Sequence, residues 1–118
     1  MQWLEALESG EYAQTQAALR RNDSYCCLGV ACDVSGLGEW GRETDDPAGP
    51  AALTMFHADD GEAEPYAPPT VVRRHLRFSQ AGVKYLAGMN DDGRWTFKEI
   101  AAFVRRTPCW FFTSTEAA

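Results

Sequence analysis

Three of the four cysteines fall within seven residues, in the run Tyr25-Cys26-Cys27-Leu28-Gly29-Val30-Ala31-Cys32-Asp33. Thiols gathered so closely raise two chemistries, metal ligation and nucleophilic attack. Structural zinc is usually held by pairs separated by roughly two to four residues and drawn from two places in a chain. Cys26 and Cys27 are adjacent, and adjacent side chains on a helix diverge by about 100°. Cys27 and Cys32 also face differently, and only Cys109, His57 and His75 remain to complete a site. None of them sits in a ligand pair, so no metal and no other cofactor is expected. A thiol at a helix N-terminus has its thiolate favoured by the backbone dipoles, which makes Cys26 or Cys27 a candidate nucleophile. Its base would have to be His57 or His75, the only histidines. With Leu28, Val30 and Ala31 around them the cysteines read instead as small packed hydrophobes near Gly29. No catalytic residue is assigned, and a small thiol-dependent enzyme stands as a rival reading.

Two polar groupings could bind rather than react. Tyr12, Gln14, Arg20 and Tyr25 combine aromatic contact area with an amide and a guanidinium that would fix a ligand's orientation. Asn90-Asp91-Asp92-Gly93 followed by Glu99 invites comparison with a calcium loop, but Gly88 would stand where the first ligand belongs. Thr96 and Glu99 have the spacing of a capping box, which accounts for the same stretch without an ion. Asn90 and Asp91 are then expected to hold a turn or line a cleft. The candidate ligand-binding set is Tyr12, Gln14, Arg20, Tyr25, Asn90 and Asp91, and a protein that sequesters a nucleotide signal is the rival function it suggests. No phosphate-binding glycine loop, nucleophile elbow or basic recognition helix occurs.

The net charge of −6 is unevenly spread. Residues 39–66 hold eight acids against one base, Arg42, while the rest of the chain has nine acids and ten bases. Asp45, Asp46, Asp59 and Asp60 are the candidate partner contacts, since an acidic segment complements a basic, nucleic-acid-binding surface on another protein. Direct nucleic-acid binding is not expected. The arginine pairs at 20–21, 73–74 and 105–106 read as solvated surface.

Three motifs stand in order along the chain: Gly10-Glu11-Tyr12-Ala13-Gln14, the cysteine run, and Asn90-Asp91-Asp92-Gly93 leading into Phe97-Lys98-Glu99-Ile100-Ala101. Over residues 3–106 the chain thereby resembles a family of small uncharacterised bacteriophage and prophage proteins. Its members carry a Gly-x-Tyr-x-Gln element, a Cys-Cys-Leu-Gly-Val-x-Cys core and an Asn-Asp-x-Gly element. The resemblance implies a phage-encoded accessory protein that binds and inhibits or redirects a host factor, for instance a defence system such as CRISPR-Cas.

The elements that must position these residues suit one domain over 1–118, with an acidic loop region around 39–66. The expected fold is α+β, a small, mainly antiparallel sheet packed by about four helices. Neither a leader nor a membrane-spanning run is evident, so a cytoplasmic protein with four free cysteines is expected. Trp3, Leu4 and Leu7 predict a first helix over 3–8, and alternation predicts a strand over 12–19. A turn over 20–24 would let Asp23 or Ser24 cap a helix that ends at Gly36 and Gly38. A loop over 41–50, a strand over 51–57 and an acidic turn at Asp59-Asp60-Gly61 follow. Pro68-Pro69-Thr70 should start a helix, Ser79 should cap another that buries Val83, Leu86 and Met89, and Phe97, Ile100, Ala101 and Val104 should face the core from the last. The apolar tail Cys109-Trp110-Phe111-Phe112-Thr113 reads as a strand joining the sheet, or else as an edge for a homodimer.

Overall fold

The segment after Thr96 is the most sharply two-sided in the chain. Phe97, Ile100, Ala101 and Val104 recur at helical spacing and are all buried, while Lys98, Glu99, Arg105 and Arg106 are exposed. This is helix α5 (Phe97–Arg106). Its first turn is closed by the expected capping box: the Glu99 N–H donates to Thr96 Oγ1 at 3.1 Å and the Thr96 N–H to Glu99 Oε1 at 2.9 Å. Thr96→Ala is therefore expected to cost about 1 kcal/mol in chemical denaturation, with the helix otherwise retained.

The computed structural model describes residues 2–21, 23–42, 53–64 and 66–113. The other helices among them are α1 (Gln2–Ser9), α2 (Cys27–Ser35), α3 (Thr70–Leu76), α4 (Gln80–Asp91) and the single turn α6 (Pro108–Phe111). The strands are β1 (Ala13–Gln14), β2 (Arg20–Arg21), β3 (Ser24–Tyr25), β4 (Gly38–Arg42), β5 (Leu53–Ala58) and β6 (Ala63–Glu64). They form one sheet in the order β1-β3-β2-β5-β4, with β6 also on β5. Every pairing is antiparallel except β1 with β3. The fold is α+β, with six helices where about four were expected.

Helix α1 lies against α2 and α5 and buries Trp3, Leu4 and Leu7. The Trp3 indole donates to the Cys27 carbonyl at 2.9 Å and meets Phe78 edge-on at 4.9 Å. Arg105 grips Glu8 through two 2.8 Å bonds, which lowers the Glu8 carboxyl below its ordinary range. Both partners are exposed, so the pair fixes the α1–α5 register more than it stabilises the fold. On the sheet, α2 packs against β3 and β4. Strand β5 alternates accordingly, with Phe56 and Ala58 buried and His57 exposed.

Four expectations are corrected by the backbone. The strand over 12–19 stops after Gln14, because Ala17 adopts a left-handed φ of 65° and its N–H is taken by Asp91 Oδ1 at 2.8 Å. The turn over 20–24 is a tight hairpin of β2 and β3, and Cys26, not Asp23 or Ser24, is the N-cap of α2. Strand β4 occupies the Gly38–Arg42 stretch, part of which read as loop. The apolar tail is no strand: with Pro108 at its first position it forms α6, whose Phe111 is fully buried against α4, and only Phe112 bridges, to Phe78.

Candidate functional site

The cysteine run folds around one close approach. The Leu19 carbonyl accepts the Cys26 N–H at 3.0 Å, and Gly29 comes so near that a β-carbon there would lie 1.9 Å from the same oxygen. The Cys26 thiol caps the helix, accepting from the Gly29 N–H at 3.3 Å. The position at a helix N-terminus should favour a thiolate, but burial prevails: Cys26 is 5% exposed and Cys27 and Cys32 are fully buried. Loss of solvation pushes the Cys26 thiol up to about 11 and holds Cys27 and Cys32 well above the ordinary range. Cys109 is exposed. Among the described residues no three or more His, Cys, Asp or Glu side chains converge as a metal site would need.

Gln14, Asn90 and Asp91 come together as a scaffold, with Asn90 buried, Gln14 half-buried and Asp91 at its exposed edge. Asn90 is the one buried polar residue described, at 0% exposure. Its Oδ1 accepts from Gln14 Nε2 at 3.0 Å and from the Cys27 N–H at 3.1 Å, and its Nδ2 donates to the Thr15 carbonyl at 2.7 Å. Gln14 Nε2 also donates to the Trp95 carbonyl at 2.8 Å. A buried amide so fully bonded fixes one geometry. It ties β1, the start of α2 and the end of α4 at a single point, and the amides of Gln14 and Asn90 face each other across it.

Tyr12, Arg20 and Tyr25 stand elsewhere, in a half-buried cluster on the sheet. Tyr12 meets Tyr25 edge-on at 5.0 Å, Tyr25 meets Trp40 at 5.7 Å, and Trp40 meets the buried Phe56 at 5.0 Å. The Arg20 guanidinium lies 5.0 Å from the Tyr25 ring centre and 5.5 Å from that of Trp40, within the range of cation–π attraction. Asp33, on α2, holds both ends: it accepts from the Tyr12 hydroxyl at 2.5 Å and from the Trp40 indole at 3.0 Å. Burial, then the Asp33 carboxylate, raises the Tyr12 phenol well above its ordinary value. Burial raises Tyr25 too, against the opposing pull of Arg20.

Asp33 and Trp40 belong to this cluster and were not singled out from sequence. Trp40 sits between Gly38, which reads as a helix end, and Gly41, which reads as the start of a loop, yet Gly38 is there because a β-carbon would lie 2.2 Å from the His57 carbonyl. A tryptophan between glycines in a paired strand was the available signal. Of the acidic candidates, Asp59 and Asp60 form the exposed turn between β5 and β6, where Asp60 Oδ1 accepts from the Glu62 N–H at 2.9 Å. Asp45 and Asp46 lie outside the described residues.

A family model described as a domain of unknown function, DUF8296, matches residues 1–107. The chain belongs to this family. The DUF8296 match takes in the cysteine run, the Asn90 network and the aromatic cluster, and stops just before α6. No curated protein and no solved structure matches the chain. Among the described residues no helix is long and apolar enough to cross a membrane.

Proposed function

We propose that this chain is a phage-encoded accessory protein that acts in the bacterial cytoplasm by binding a host protein and inhibiting or redirecting it, a defence complex such as CRISPR-Cas being the expected class of target. The observation that supports a binding role is the cluster of Tyr12, Arg20, Tyr25 and Trp40, held in place by Asp33. Tyrosine, tryptophan and arginine carry most of the energy at protein interfaces, and they do so best when their conformations are fixed before contact. The Asp59-Asp60 turn follows β5, whose pairing with β4 carries Trp40. Together with the acids of residues 43–46 it would steer a basic partner toward that cluster.

Reversing Asp45, Asp46, Asp59 and Asp60 to lysine is expected to slow association about tenfold or more at low salt and to remove its weakening by added salt, without loss of folding. Replacing Arg20 and Trp40 with alanine should instead speed dissociation. The comparison is made by phage challenge of cells expressing each variant, with circular dichroism to confirm folding. Full activity of the charge-reversed chain would sink the proposal.

A further inference from the structure

The arginines of α3 read in sequence as a solvated face, yet they line a pocket. Arg73, Arg74 and Arg77, with Thr70, Phe78 and Thr113, surround a concavity of about 410 Å³. We propose that this pocket binds the phosphate group of a small phosphorylated ligand, at a site lined by none of the acidic residues invoked above.

Among the described residues none of the three guanidiniums has a carboxylate within 4.0 Å. Three like charges within five residues of chain repel one another, and the carboxylate that does reach the pocket's rim, Glu62, is engaged by the Thr70 N–H at 3.1 Å and pairs with none of the three. Arg73 makes its condition plainest. Its Nη2 donates to the Thr70 hydroxyl at 3.1 Å, while its Nε–H is buried with no acceptor at all. A buried donor left unpaired costs about 1 to 3 kcal/mol, and in a native protein it points to a missing partner such as an ion.

The ordinary role for cations in this place is to bond the last carbonyls of the helix. Backbone fills that role at three carbonyls: the Arg77 N–H donates to the Arg74 carbonyl, the Phe78 N–H to the Arg73 carbonyl, and the Thr113 N–H to the Arg77 carbonyl. The guanidinium forks are thus left for something else. A phosphate matches them, since arginine presents paired N–H groups to two oxygens at once. Thr70, by accepting from Arg73, keeps its own O–H to donate. Phe78 is 6% exposed and stacks on Phe112 at 5.7 Å, giving the pocket an apolar wall.

Size and charge select a small ligand over a polymer. The volume is near the lower end for small-molecule sites, and a chain of net charge −6 repels a long polyanion while a compact one feels mainly the three nearby arginines.

The test is calorimetric titration of the full chain with inorganic phosphate, with pyrophosphate and with adenosine monophosphate, at matched ionic strength. Saturable one-to-one binding is expected, and the Arg74→Gln, Arg77→Gln double variant should bind about tenfold or more weakly while melting at the wild-type temperature, because both side chains are exposed. Adenosine monophosphate binding more tightly than inorganic phosphate would assign the site to an organic phosphate that uses Phe78; equal binding would assign it to the phosphate group alone. No binding of any of the three up to about 10 mM, unchanged binding by the double variant, or binding only of long RNA or DNA would each overturn the proposal. These titrations do not touch Asp59, Asp60 or Trp40, so their failure leaves the protein-binding reading standing.

Discussion

A Gly29→Ala variant is expected to lose about 4 kcal/mol or more of folding stability, enough to unfold a marginal domain. The β-carbon would arrive 1.9 Å from the Leu19 carbonyl oxygen and 2.8 Å from its carbon. Neither is the free end of a flexible side chain. Leu19 is itself fully buried, and its carbonyl is engaged by the Cys26 N–H, so relief requires α2 and the preceding chain to separate. That would pull Cys27 from Asn90 and Asp33 from Tyr12 and Trp40, dismantling both polar scaffold and aromatic cluster. Gly88 supplies the control: it lies in α4 with nothing within 4 Å of its would-be β-carbon, and Gly88→Ala should be neutral or stabilise by up to about 1 kcal/mol through helix propensity. Urea unfolding of the two variants checks the pair. Equal midpoints would mean that the contact between α2 and Leu19 does not exist as described.

What could be read in the chain was what depends on local spacing. The faces of α1 and α5, the Ser79 cap of α4 with its 2.9 Å bond from the Gly82 N–H, and the Thr96–Glu99 box follow from side chains one to four residues apart. What could not be read depends on partners far along the chain. Ala17 takes a left-handed conformation because Asp91, 74 residues away, accepts its N–H. The tail becomes α6 because Phe111 fills space beside α4, where Gly82 has no side chain and its would-be β-carbon meets the Phe111 carbonyl at 2.6 Å; alternation within Cys109–Thr113 carries no trace of that. Gln14 and Asn90 were legible as special and not as partners, since composition cannot tell an amide that meets a ligand from one that meets another amide. The same holds for Arg73, whose unpaired Nε–H appears only when the fold is known.

The buried thiols make the domain alkali-sensitive, and the sign of the effect follows from burial. Cys26, Cys27 and Cys32 all titrate above their ordinary value in the folded chain. Below an unfolded thiol pKa of about 8.5 both states hold these protons, and the thiols make no pH-dependent contribution. As the pH rises beyond that, the unfolded chain releases protons that the folded chain keeps, so stability falls by about 1.4 kcal/mol per pH unit for each thiol until the folded value is reached. For Cys26 that limit is about 11. All three thiols act in this direction, and the raised phenols of Tyr12 and Tyr25 act with them at still higher pH. Urea unfolding in a phosphine reductant, which keeps every cysteine reduced, measures the slope, and Cys32→Ala should make it shallower by removing one of the raised thiols. Iodoacetamide applied to the native protein near pH 8 should label Cys109 alone, because it is the exposed thiol. Stability that stays flat to pH 10, or native labelling of Cys26 or Cys27, would place a reactive thiolate at the start of α2 and return the cysteine run from packing to chemistry.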